Sequence, residues 1–397
     1  MIILFLKELA MDKKIVTILI LPLLFFTETL LSQDSEFKVS DTMTFKGQAS
    51  IWANYNFDNL LPLQTGGRYI PVLDYGITFK DKSKIDFEGS ANIFGSLSTH
   101  PFETIYTSNS ITPYRAWARY STSQIEIRAG LQKINFGSAT LLRPLMWFDQ
   151  IDPRDPLQLT NGVWGLLGRY YFLNNANVWL WCLYGNDKLR PWDIGTTAKR
   201  IPEFGGRVQL PVTKGEIAFT YHFRETDMTD YGYISASDSR IPENRIGIDG
   251  KWDLGTGLWF EGTWINKSTD LGSLTNQEIF NIGADNTISV GNGLHFIFEQ
   301  LFAANDIYPF EFRNKIFFSG LSLSYPVSMN DNLSAIMYYD WENNDSYNYM
   351  NWNHNFKYLS LFLIAYLNPR KFNLPQQNST GNLYAGPGVQ VMLVYNH

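Results

Sequence analysis

The sequence predicts an all-β fold, a transmembrane antiparallel β-barrel of about 16-18 strands with an inward-folding loop, after an N-terminal signal peptide. Three observations carry this expectation. From Thr44 to Phe57 the residues alternate: Phe45, Gly47, Ala49, Ile51, Ala53, Tyr55 and Phe57 on one face, Lys46, Gln48, Ser50, Asn54 and Asn56 on the other. A period of two over that length means a strand whose faces meet different solvents. Aromatic residues make up 16% of the chain while its mean hydropathy is only -0.18, which excludes a helical membrane bundle and suits rings gathered at two membrane surfaces. Finally, long polar connections alternate with tight turns, an asymmetry that a soluble β-sandwich does not explain.

At the N-terminus Lys13 and Lys14 precede an apolar run, Ile15 to Phe26, followed by Thr27 to Ser32 and the polar Gln33. A charged start and a short apolar stretch describe a signal peptide, residues 1–32, leaving 33–397 as the barrel; Met11 is an alternative start. The Ser32-Gln33 junction resembles those of secreted Bacteroidetes proteins.

After Thr44–Phe57 come predicted strands near Tyr69 to Lys80 and Lys84 to Leu97, then the pair Tyr114 to Thr122 and Gln124 to Gln132. There Ala116, Ala118, Tyr120, Ile125, Ile127, Ala129 and Leu131 face out, and Arg115, Arg119, Glu126, Arg128 and Gln132 face in. Charges at alternate positions of lipid-facing strands are costly unless they point to water, so the lumen must be polar. Further strands are expected at Val163–Leu173, Asn177–Tyr184, Arg207–Val212, Glu216–Arg224, Arg245–Leu254, Gly257–Asn266, Glu278–Asp285, Gly293–Ala304, Ile316–Tyr325, Leu333–Trp341, Phe356–Leu367 and Gly388–Tyr395. The long connections read as Ser98–Ile111, Gly185–Phe204, Glu225–Asn244, Asn343–Asn353 and Asn368–Leu383.

Bulk chemistry excludes several functions. A net charge of -6 gives no general attraction for nucleic acid. Cys182 is the only cysteine, so there is no internal disulfide or cysteine metal cluster, and the five histidines lie far apart; no cofactor is expected. None of the histidines has a serine two residues on, so nothing signals the nucleophile and base of a barrel lipid hydrolase.

Gly130 to Gly162 breaks the strand rhythm. Two aspartate-proline steps, Asp152-Pro153 and Asp155-Pro156, favour turns, and a connection this long is often functional. It is expected to fold into the barrel and narrow it, bringing Arg143, Asp149, Asp152, Arg154 and Asp155 to water or solute. Arg128-x-Gly130-x-Gln132 with Gly137, and then Asp149-x-x-Asp152-Pro153-x-Asp155, resemble a pattern of porin-like outer-membrane barrels near the alginate-export and porin superfamily. The resemblance covers about residues 126 to 165 and implies a channel without naming its substrate.

Arg115, Arg119, Arg128, Arg143, Asp149, Asp152, Arg154 and Asp155 are therefore the candidate pore or solute-facing residues; Arg128, Asp152, Arg154 and Asp155 read first as braces of the inward loop, since buried charges need partners, while Arg115 and Arg119, at alternate positions on one lumen face, are the better candidates for a solute-facing ladder. From Ile111 to Leu210 there are 12 lysines and arginines against 7 acids, an excess of +5 in an acidic chain, and cationic rings in a pore favour anions. The expected function is passive diffusion of small hydrophilic solutes across the outer membrane of a Gram-negative bacterium, with outer-membrane lipid and the barrel-assembly machinery as partners. A structural or adhesion barrel whose loops bind a partner stays open beside it.

Overall fold

The computed structural model describes residues 38–59, 61–99, 105–229, 240–371, 374 and 384–397, so the proposed signal segment lies outside the described residues. The strands are β1 (Lys38–Asn56), β2 (Leu63–Phe79), β3 (Lys84–Thr99), β4 (Ile105–Ser121), β5 (Ile125–Gln132), β6 (Val163–Tyr171) and β7 (Asn177–Leu183). Next come β8 (Thr196–Thr197), β9 (Glu203–Val212), β10 (Gly215–Asp227), β11 (Arg240–Asp253), β12 (Gly257–Lys267), β13 (Asn276–Ile288) and β14 (Leu294–Asp306). The remaining strands are β15 (Lys315–Pro326), β16 (Asp331–Asp340), β17 (Asp345–Asn355), β18 (Leu359–Leu367) and β19 (Pro387–Asn396).

All belong to one sheet, and every long neighbour pair is antiparallel. β8 is a two-residue rung inside the molecule; without it, 18 strands close the cylinder. The seal is the β1–β19 pairing, running from Gln48 opposite Asn396 to Asn56 opposite Gly388. Closure leaves no long edge in the membrane, where an unpaired backbone group has no water to turn to.

The two faces part as the alternation requires. On β1, Phe45 and Ile51 are about three-fifths exposed, as is Phe57 just beyond its end, while Ser50, Asn54 and Asn56 are buried. Ile217, Phe219 and Tyr221 of β10 are likewise open, while His222 and Arg224 are buried. So much exposed apolar surface suits hydrocarbon rather than water as its solvent. The buried core lies within the cylinder, where Leu141 and Leu142 pack against Ile279, Leu301, Phe318, Tyr338 and Tyr347 of the wall.

Three sequence readings need correction. Asn343–Asn353 is not a loop: β17 covers most of it, with Tyr347 and Tyr349 buried. Its asparagines and aromatics alternate, and the asparagine content hid the period. Ser98–Ile111 is largely strand as well, because β3 and β4 pair out to Thr99 and Ile105. A bulge at Ser90/Ala91 leaves Tyr114 as the extra residue and shifts the phase of β4, which concealed that strand's upper half. Leu131 is buried rather than open, because the chain turns inward just beyond Gly130.

Wall height varies. β1 to β4 have 19, 17, 16 and 17 residues, whereas β5, β6 and β7 have only 8, 9 and 7. Over that low wall two connections enter the barrel.

Candidate functional site

The barrel interior is the candidate site, and its shape comes from the two inward segments, residues 133–162 and 184–202. The first begins at Gly130, whose φ of 118° and lack of a side chain let β5 bend; a Cβ there would collide with the Ala116 carbonyl. Gln132 locks the bend, its Nε2 donating to the carbonyls of Arg128 at 3.2 Å and Gly165 at 3.0 Å. The segment then crosses the lumen and is held on the far wall by two buried carboxylates. Glu261 accepts from the backbone N–H groups of Ala139 at 2.7 Å and Leu145 at 3.2 Å. Gly137, at φ 90°, is needed here because a Cβ would overlap Glu261. Glu299 accepts from the N–H groups of Thr140 (2.6 Å), Leu141 (3.2 Å) and Leu142 (2.7 Å) and from the Thr140 hydroxyl. Asn281 adds a bond to the Leu142 carbonyl at 2.5 Å. A connection inside a barrel would strand its backbone groups; these wall residues supply partners.

Apolar packing fills the rest. Ile134, Phe136, Leu145, Trp147 and Phe148 pack on Val163, Leu167, Trp181 and Leu183. Phe136 stacks on Trp181 at 5.9 Å, and Phe148 meets the His222 ring edge-on at 5.0 Å.

The second segment is held by charge. Arg190 donates to Glu203 at 2.5 Å and Thr197 at 2.6 Å. Asp193 accepts from Arg224 at 2.9 Å and Arg245 at 2.6 Å. Glu243 lies 2.6 Å from both of those arginines and 3.6 Å from Lys267. His222 takes the Trp181 indole N–H on Nδ1 at 3.2 Å, which assigns its proton to Nε2, 3.1 Å from Glu203. β8 adds a rung to the projecting end of β10, and Trp192 Nε1 donates to the Arg143 carbonyl at 2.9 Å, joining the two segments.

Most of the sequence-predicted charges are tied into this scaffold. Arg143, 5% exposed, faces Asp149 at 3.6 Å and also reaches Asn135 and the Phe136 carbonyl. Burial pushes the Asp149 carboxyl above its ordinary range, Arg143 only partly opposing it. Arg154 grips Asp152 at 2.8 and 3.0 Å and lies over the Tyr384 ring. Asp155 accepts the Leu157 and Leu159 N–H groups, and its carboxyl is likewise raised by burial. Arg115, 7% exposed, is bonded to Thr160 and to the Tyr114 carbonyl, clamping the returning end of the first segment. Arg143, Asp149 and Arg154 are thus enclosed, contrary to the expectation that they are open to water; of the predicted charges on that segment, Asp152 and Asp155 keep partial access.

The wall around β3 to β7 differs. Arg119 is 30% exposed and pairs with Asp86 at 2.9 Å and with Glu126 at 3.9 Å. Arg128 at 3.0 Å and Arg169 at 3.4 Å approach the same Glu126 carboxylate. Indole rings separate the cations: Trp117 lies near both Arg119 and Arg128, and Trp179 lies 3.8 Å from Arg169. Higher on the wall, Arg68 covers Phe94, which stacks on Trp52. Arg169, Asp86, Glu261, Glu299, Arg224 and Glu243 were not singled out from sequence. Alternation marks each as inward, but their partners are far along the chain and carry no local signal.

No family model matches the chain, and no curated protein matches it. Solved structures do. OccAB1 of Acinetobacter baumannii is 7% identical with a TM-score of 0.54, covering 92% of this chain and 98% of its own. OccAB2 of the same organism is 10% identical with a TM-score of 0.53, covering 92% and 99%. OccK5 of Pseudomonas aeruginosa is 11% identical with a TM-score of 0.52, covering 89% and 97%. These are outer-membrane porin barrels. The chain shares their fold. At such identities the likeness extends to fold alone.

Proposed function

We propose that this protein is a passive diffusion channel of a Gram-negative outer membrane, admitting small hydrophilic solutes with a mild preference for anions. The observation that carries the reading is the partly open arginine wall inside a closed, lipid-compatible cylinder: Arg119, Arg128 and Arg169 share the single carboxylate of Glu126, with Asp86 and Glu88 as the acids nearby. Three guanidiniums thus crowd one carboxylate, whereas Arg143, Arg154, Arg190 and Arg207 of the +5 stretch each face a carboxylate outside this wall, Arg207 the buried Asp249 at 2.6 Å. Arg119 and Arg128 are accordingly the proposed solute-facing members of the predicted set, and Arg115, Arg143, Asp149, Asp152, Arg154 and Asp155 shape the passage that solutes share.

Residues 1–32 as a cleaved signal, delivery by the barrel-assembly machinery, Bacteroidetes origin and kinship with the alginate-export superfamily belong to the same proposal. They rest on the N-terminal pattern and on residues 126–165. Swelling of liposomes containing the purified protein tests the channel: entry of small sugars and organic anions, falling with solute size, is expected, and the absence of entry refutes it.

A further inference from the structure

Four neighbouring strands change character partway down their inward faces. Toward the end of the long connections, β15, β16, β17 and β18 present Phe318, Tyr338, Tyr347 and Ile364, all in the buried cluster around Leu141 and Leu142. Followed toward the tight turns, the same alternation brings Ser322 and Ser324, Asn332 and Ser334, and Asn351 and Asn353 to the lumen, each half-buried. They adjoin across the strands: Ser324 stands opposite Ser334, Ser334 opposite Asn351, and Asn332 opposite Asn353. Residues 327–330 and 356–358, the turns that bound this surface, are among those described.

Contact with water alone does not demand that composition. Arg119 lies two residues from the tight-turn end of β4, as Ser324 does on β15 and Asn353 on β17. At that depth the arginine wall offers guanidinium and carboxylate groups, while the inward positions of β15 to β18 below the cluster carry no charge. Bonding capacity is also left over. Ser322 and Asn353 make no side-chain hydrogen bond among the described residues, and Oδ1 of Asn351 is shielded without a donor. Such an acceptor is costly unless something supplies it a proton. Beside Asn353 stands Phe362, partly buried, an apolar surface next to the amides.

We propose that this arc of Ser322, Ser324, Asn332, Ser334, Asn351 and Asn353 is a binding site for neutral polyhydroxylated solutes, sugar alcohols and monosaccharides, on their way through the barrel. It rests on the channel reading above and adds a solute class to it. Serine and asparagine side chains both donate and accept, as does each hydroxyl of a polyol, whereas guanidinium only donates and carboxylate only accepts. Facing side chains on adjacent strands are about 5 Å apart, so a solute with hydroxyls on successive carbons engages several at once. Phe362 meets its C–H groups.

The probes are xylitol and triethylene glycol, neutral molecules of nearly equal mass, one hydroxylated on every carbon and the other mostly ether. Chloride current through single channels of the full chain in planar bilayers is recorded as each is added. Xylitol is expected to lower the current to a plateau, half-complete at roughly millimolar to tens of millimolar, the range of a weak site. Triethylene glycol is expected to lower it only as far as it lowers the conductivity of the solution. Equal responses to the two, or no plateau with xylitol, overturn the proposal. In the Asn351→Leu/Asn353→Leu variant the xylitol block is expected to weaken by about ten-fold, as the loss of two hydrogen bonds implies. An undiminished block puts the site elsewhere and is a refutation. Should the variant not assemble, the comparison of the two solutes decides alone. A barrel that never conducts overturns the channel reading and this inference with it; a conducting barrel indifferent to xylitol overturns this inference only.

Discussion

The two inward segments solve one problem by different chemistry. Residues 133–162 present backbone N–H groups to Glu261 and Glu299 and bury a cluster of rings, whereas 184–202 is bound through side-chain ion pairs among Arg190, Asp193, Arg224, Glu243 and Arg245. Gripping the backbone fixes a path whatever the side chains, and the apolar contacts add depth. A fully buried ion lattice is less forgiving, because each charge is tolerable only while all its partners remain. The first segment is therefore a fixed constriction, and the second is the more sensitive to loss of one residue.

The largest effect that would sharpen this contrast is expected for Glu243→Ala. It leaves Arg224, Arg245 and Lys267 enclosed without their shared carboxylate, at a cost of about 3–5 kcal/mol. Thermal unfolding followed by tryptophan fluorescence is expected to show a markedly lower Tm. An unchanged Tm breaks the comparison.

Glu299→Gln is milder, at about 1–3 kcal/mol, because the amide keeps one acceptor oxygen and orphans the donors of the other. Hydrogen exchange is expected to quicken at residues 140–142 and not at 190–197. Acceleration at both segments alike would mean they form one unit, a coupling that the Trp192 bond to the Arg143 carbonyl makes physically reasonable.

Arg119→Ala and Arg128→Ala are expected to change stability by no more than about 1 kcal/mol, since these pairs keep access to water. Their combined effect falls on selectivity: anion preference in planar bilayers is expected to disappear. Preservation of that preference would move the selective step to another part of the lumen.

The smallest effect concerns pH. Because burial raises the Asp149 carboxyl in the docked segment above its unfolded value, the protonated form favours docking. Docking is then strongest in acid and loses stability as pH rises through the raised value. Protease protection of residues 133–162 is expected to decline as pH rises above the ordinary aspartate range of about 4, and Asp149→Asn to flatten the decline.

The barrel was legible because its cause is local. Alternation from Thr44 to Phe57 needs only the solvents on either side of a strand, and the tight turns announce themselves in sequence. β17 was missed because polar asparagines occupy it, and the upper half of β4 because a bulge reverses its phase. The inward course of residues 133–162 was readable from its length and prolines. Its anchors were not, since Glu261 and Glu299 lie more than a hundred residues from the N–H groups they hold. Likewise Arg115 and Arg119 form an even ladder in sequence, yet Thr160 captures one and Asp86 the other, and only the second keeps substantial access to the lumen.

The central claim is that solutes cross beside the arginine wall, and the zero-current potential of single channels in a salt gradient tests it most directly. Discrete conductance steps with a potential on the anion-selective side, shifting toward zero in the Arg119→Ala/Arg128→Ala double variant, are the predicted result. A correctly assembled barrel with no conductance, or one selective for cations, contradicts it.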